Sequence, residues 1–72
     1  MEVFEIDTRV NIKAGSDLIQ GFINQVCIAR HGVTYEVVYW HNSARTTIWL
    51  AQEEFEVVDH ANHKRRIGLV GV

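Results

Sequence analysis

The chain has 72 residues, 47% of them hydrophobic and 22% charged, with no proline and a formal net charge of −2. That is the profile of one folded domain; it excludes a second domain, a disordered chain and a broad cationic field of the kind that gathers phosphate backbones. A domain this small buries only roughly 60% of its unfolded surface, so its stability margin is thin.

The first ten residues, "MEVFEIDTRV", are acidic and hold no long apolar run, so they read neither as a secretory signal nor as a membrane span. A reducing cytoplasm is the default compartment that follows. "RVNIK", residues 9–13, alternates with Val10 and Ile12 on one face, the pattern of a half-buried strand. "AGSD" supplies a turn or loop. "GFINQVCIAR", residues 21–30, begins at a glycine suited to a bulge or a close backbone approach and is long enough for a bent strand. Its core contacts are Ile23, Val26 and Ile28, and the spacing of three between the first two predicts a bulge that shifts register. Cys27, the single cysteine, cannot close an internal disulfide and reads as a small buried hydrophobe.

"RHG" makes a tight connection in which Gly32 takes positive φ. The third strand, "VTYEVVYW" at residues 33–40, puts Val33, Tyr35, Val37 and Tyr39 on one face and Thr34, Glu36, Val38 and Trp40 on the other. "HNSA" is the next turn. "RTTIWL", residues 45–50, is β-branched and aromatic, with Ile48 and Leu50 on one face and Thr47 and Trp49 on the other. "AQEEFEVV" leads through a short 3₁₀ turn into a closing strand with Phe55 and Val57 or Val58 inward. Five short strands with tight hairpins predict an all-β, closed or partly closed small antiparallel barrel over residues 1–58, followed by a C-terminal tail over residues 59–72. The alternative is a three-stranded meander completed by dimerisation.

"RVNIK", "GFI", "YEVVYW", "TIWL" and "EEFE" in this order resemble an SH3-like small β-barrel of the Tudor or KOW kind, over about residues 8–58. Small uncharacterised proteins of bacteriophages and prophages are similar in length and layout, down to a short tail with "IG" and an apolar residue, here Ile67, Gly68 and Leu69. A second likeness is to the type II, plasmid-borne dihydrofolate reductases, SH3-like chains that assemble as tetramers around a shared pore. Their Val-Gln-Ile-Tyr pore segment aligns with Thr46, Thr47, Ile48 and Trp49. Ile48 matches and Trp49 keeps an aromatic. Thr47 replaces the glutamine that pairs with the ligands, and Ile12 falls near the family's basic residue, with Lys13 one place along and facing the other way.

A barrel of this size has room inside for one face of each strand. The second face of the third and fourth strands carries Val38, Trp40 and Trp49, with Phe22 joining from the second strand. Three occupants suit that face: the chain's own ends (Val3, Phe4 and Ile6, or "IGLVGV"), a second copy, or a foreign ligand. In a Tudor-like barrel the foreign ligand is a methylated cation held in an aromatic cage, for which Tyr35, Tyr39, Trp40, Trp49 and Phe55 are the available rings. The core-facing alternation of Tyr35 and Tyr39 speaks for packing instead. KOW-like stacking on RNA is the other form, with Arg30, Arg45 and Lys13 as the nearby basic groups.

"DHANHKRRIG" places His60 and His63 at a spacing that one helical face could present, but two imidazoles fall short of the about four ligands of a zinc centre. His31, His41 and Cys27 sit on other elements. Lys64, Arg65 and Arg66 form a basic run that reads as a solvated tail, as a dock for the acidic turn at Glu53, Glu54 and Glu56, or as a nucleic-acid contact. No nucleophile sits beside a histidine and no glycine-rich phosphate loop occurs. The expectation is therefore a non-enzymatic binding or assembly module without metal or cofactor. It self-associates or binds a protein through Phe22, Val38, Trp40 and Trp49, with Lys64, Arg65 and Arg66 as electrostatic accessories. A nucleic-acid-binding module and a reductase-like oligomer are the alternatives.

Overall fold

The computed structural model describes residues 2–58 and the backbone of residues 64–66. The protein is all-β, with seven strands among the described residues: β1 (Glu2–Phe4), β2 (Arg9–Ala14), β3 (Asp17–Ala29), β4 (Gly32–His41), β5 (Ala44–Ala51), β6 (Phe55–Val57) and β7 (Lys64–Arg66). Gln52–Glu54 form a 3₁₀ turn between β5 and β6. Five strands make one antiparallel sheet in the order β5-β4-β3-β2-β6, while β1 and β7 pair separately. The sheet is not closed into a barrel: among the described residues its edges β5 and β6 pair only with β4 and β2.

Three successive hairpins build the sheet, and the local chemistry suits each. β2 and β3 turn through Gly15 and Ser16, with Ala14 opposite Asp17. β3 and β4 turn through Arg30 and His31, after which Gly32 takes φ 147°, the positive value expected of it. β4 and β5 turn through Asn42 and Ser43 at φ 50° and 65°, the left-handed pair that a type I′ loop needs to match the strand twist. The bulge announced by the Ile23 and Val26 spacing is present: β3 slips register against β4 between Ile23 and Gln25. The Asp7 N–H donates to the Ile23 carbonyl at 2.7 Å, and the Ile23 N–H donates to the Thr8 carbonyl at 3.0 Å. These bonds follow directly on the Arg9–Phe22 pair, where the β2–β3 ladder ends. Thr8 is held in turn by its hydroxyl, which donates to the Glu5 carbonyl at 2.6 Å.

Alternation along each strand sorts the side chains onto two faces. The inner face gathers Val10, Ile12, Ile23, Tyr35, Val37, Leu50 and Phe55, all buried, with Val3 of β1 among them. Phe55 meets Tyr35 edge to face with ring centroids 5.4 Å apart, although β6 and β4 are not neighbours in the sheet. The sheet is therefore curled around this cluster. Phe4 adds a third ring, 5.7 Å from Tyr35 and 6.0 Å from Phe55, and its N–H donates to the Tyr35 hydroxyl at 3.2 Å.

Two short strands escape the sequence reading. β1 and β7 have three residues each and, among the described residues, pair only with one another, Glu2 opposite Arg66 and Phe4 opposite Lys64. β3 also starts earlier than expected, at Asp17 rather than Gly21. Cys27 is exposed, not buried. The bulge resets the phase of β3, so Val26 and Ile28 face in and Cys27 between them faces out.

Gly21 sits where two strands press together. A Cβ there would stand 2.5 Å from the Val38 carbonyl oxygen and 2.9 Å from Val37 Cγ1. Backbone cannot yield as a flexible side chain does. Gly21→Ala is therefore expected to lower the unfolding free energy by ~1–3 kcal/mol, read as a lower urea midpoint at unchanged slope. An unchanged midpoint would show that β3 and β4 can part without cost.

Candidate functional site

The outer face is set by the same alternation and by the cross-strand register. On it β3 carries Gln20 and Phe22, β4 carries Glu36, Val38 and Trp40, and β5 carries Arg45, Thr47 and Trp49. Phe22 lies opposite Val38, which lies opposite Thr47. To one side Trp40 is opposite Arg45; to the other, Glu36 is opposite Trp49. The two indoles thus stand at diagonal corners around a central Val38–Thr47 pair.

Trp40 is 56% exposed and Trp49 48% exposed, whereas Val38 is 0% exposed. Val38 is therefore corrected from a contact residue to the floor of the patch. It is flanked by Phe22 and Thr47 in the neighbouring strands and lies between Glu36 and Trp40 along its own. Phe22 and Trp40 pack with ring centroids 6.0 Å apart, a tilted pair. Beside Trp49, Glu36 accepts a hydrogen bond from Asn24 Nδ2 at 2.8 Å. Next to the Phe22–Trp40 pair opens a hollow of about 450 Å³ lined by Asp7, Arg9, Gln20, Phe22, Trp40 and Val58. Arg9 and Gln20 belong to this corner and were not singled out from the sequence. The available signal was the phase of β2: with Val10 and Ile12 inward, Arg9 faces out.

The segment thought able to cover the indoles goes elsewhere. Val3 is buried in the inner cluster and Phe4 packs on Tyr35 and Phe55, while Ile6 is 57% exposed. The alternative cover, "IGLVGV", lies outside the described residues, as do His60 and His63. Residues Lys64–Arg66 pair through their backbone with Glu2–Phe4, forming a short strand where a solvated tail was one expectation.

The five rings proposed for a cage are divided between the faces. Tyr35 and Phe55 are buried inside, Tyr39 packs against the same cluster, and Trp40 and Trp49 stand outside. Of the reductase-like positions, Ile12 is buried and Ile48 is 39% exposed on the inner side. Lys13 faces outward, its Nζ donating to the Glu53 carbonyl at 3.4 Å. Among the described residues no group of three or more His, Cys, Asp or Glu side chains is placed to hold a metal ion, and no helix is long and apolar enough to cross a membrane. No protein-family model, curated protein or solved structure matches the chain.

Floor and rim of the patch separate in a stability measurement. Val38→Ala is expected to cost ~1.5–3 kcal/mol, the value of a fully buried aliphatic side chain. Trp49→Ser, at a half-exposed position, is expected to cost under ~1 kcal/mol in dilute solution. Equal losses in chemical denaturation of the two variants would contradict this division.

Proposed function

We propose that the protein is a non-enzymatic SH3-like binding and assembly module that self-associates through the outer face of β3, β4 and β5. The observation that carries this reading is the pair of half-exposed indoles, Trp40 and Trp49, set around the buried Val38 on one face. Tryptophan concentrates binding energy when a partner removes it from water. Phe22 extends the apolar surface, and Arg45 and Glu36 rim it with opposite charges. The strand order, the 3₁₀ turn before β6 and the inward curl support the SH3-like assignment. An exposed, unpaired Cys27 accords with a reducing cytoplasm.

A second reading, nucleic-acid binding, draws on Arg9 and Gln20 beside the Phe22–Trp40 pair, a stacking surface with a cation next to it. The net charge of −2 weighs against it. The reductase-like reading has less support, since Thr47 stands on the outer face in place of the ligand-pairing glutamine.

Sedimentation equilibrium over micromolar to millimolar concentration tests the proposal. The average mass should rise with concentration while acrylamide quenching of the indoles falls. Trp40→Ser should weaken association ~30-fold, as loss of about 2 kcal/mol at an interface hot spot does, and leave the monomer folded. A monomer throughout, together with salt-sensitive binding of a labelled oligonucleotide, would replace this reading with the second one.

A further inference from the structure

The two edges of the five-stranded sheet are unequal. β6 is three residues long and carries Glu56, with Glu53 and Glu54 just before it. Short length and charge are the usual protections against stray pairing. β5 has neither. It runs eight residues without bulge or proline, its only charge is Arg45, and it pairs only with β4 among the described residues. Apolar groups are exposed on both of its faces, Ile48 at 39% and Trp49 at 48%.

The hairpin fixes which backbone groups of β5 point away from the sheet. In a two-residue loop the flanking residues, here His41 and Ala44, form a hydrogen-bonded pair, and bonding alternates from there. Thr46, Ile48 and Leu50 therefore bond to β4, while Arg45, Thr47, Trp49 and Ala51 turn their N–H and C=O groups outward. The last of these is already satisfied in agreement with this alternation: the Ala51 N–H donates to Glu54 Oε1 at 2.9 Å. Arg45, Thr47 and Trp49 are left as a row of outward-facing groups.

We propose that two copies of the chain pair antiparallel along β5 with Thr47 on the two-fold axis, giving one sheet that runs through both. This rests on the self-association reading above and adds to its face contact a pairing along the adjoining sheet edge. The register is singled out by two independent requirements. With Thr47 opposite Thr47 of the second copy, Arg45 falls opposite Trp49, and each of these pairs exchanges two backbone hydrogen bonds. Sliding the pairing by two residues toward the C-terminus would set Arg45 against Ala51, whose N–H is taken by Glu54. Sliding it the other way would set Trp49 against Ser43 in the loop.

The side chains complement each other in that register. Arg45 already lies opposite Trp40 in its own chain, so the guanidinium comes to lie between Trp40 and the second copy's Trp49, a cation between two π faces. The outer faces join, with Phe22, Val38 and Thr47 of one copy continued by the same row of the other. Such a contact is isologous and closes at two copies.

The test uses the full chain with Cys27→Ser as background, so that a new thiol is the only one. Thr47→Cys should form a disulfide-linked dimer on mild oxidation, because hydrogen-bonded partners stand about 5.5 Å apart at Cα, within disulfide reach. Ile48→Cys, which does not face its own copy, should cross-link far more slowly. Separately, Thr47→Pro deletes an outward N–H without touching the bonds to β4, and should weaken association ~30-fold or more through the two hydrogen bonds lost across the axis. Equal cross-linking at the two positions, or a Thr47→Pro chain that folds and associates like wild type, overturns β5 pairing. If Trp40→Ser still breaks that association, the outer-face reading survives; a wild-type monomer removes both.

Discussion

Three residues, Gln52–Glu54, have to carry the chain from one edge of a five-stranded sheet to the other. Four Cα steps from Ala51 to Phe55 reach at most ~15 Å, whereas five strands laid flat span ~19 Å from edge to edge. The sheet has to curl, and what fills the curl is aromatic. Phe55 arrives directly after the turn and meets Tyr35, and Phe4 of β1 packs on both. Once the sheet has an inside, every strand has a committed face.

β4 shows what that commitment leaves over. Val37 and Val38 are neighbours on opposite faces and both are wholly buried, the first by the interior cluster and the second by its outer-face surroundings. Among the described residues, the outer side thus has a small apolar floor without a second layer above it. The indoles at its corners are about half exposed, Trp40 with Phe22 packed beside it. Acidic residues guard the short edge at β6, while β5, charged only at Arg45, presents otherwise apolar and uncharged side chains along an edge that has no strand partner among the described residues. Function, in this reading, belongs to the side of the molecule that folding alone does not finish.

Much of this was legible in the sequence because period-two alternation and turn chemistry are local. The strand pattern, the hairpin loops, the 3₁₀ turn and the bulge after Ile23 all follow from residues within a few positions of one another. The outer placement of Trp40 and Trp49 follows from the same phase. The misses have different origins. β1 and β7 are too short to show a period, and each exists only because the other is near. Cys27 was judged by its apolar neighbours, when the predicted bulge already implied an outward position. The burial of Val38 depends on Phe22 and Thr47 in adjacent strands, a fact about register that no single strand contains. Likewise Gly21 marked a close approach and not the beginning of β3, because glycine signals both.

The strand order also has a temporal side. β2 through β5 can form as the chain emerges, each hairpin closing on what was just made, but β2 has its second neighbour only when Phe55–Val57 appear. At about 5–20 residues per second, the interval from Ala14 to Val57 lasts roughly 2–9 s. Until then Val10 and Ile12 lack the β6 partners Val57 and Phe55 that they have in the finished sheet.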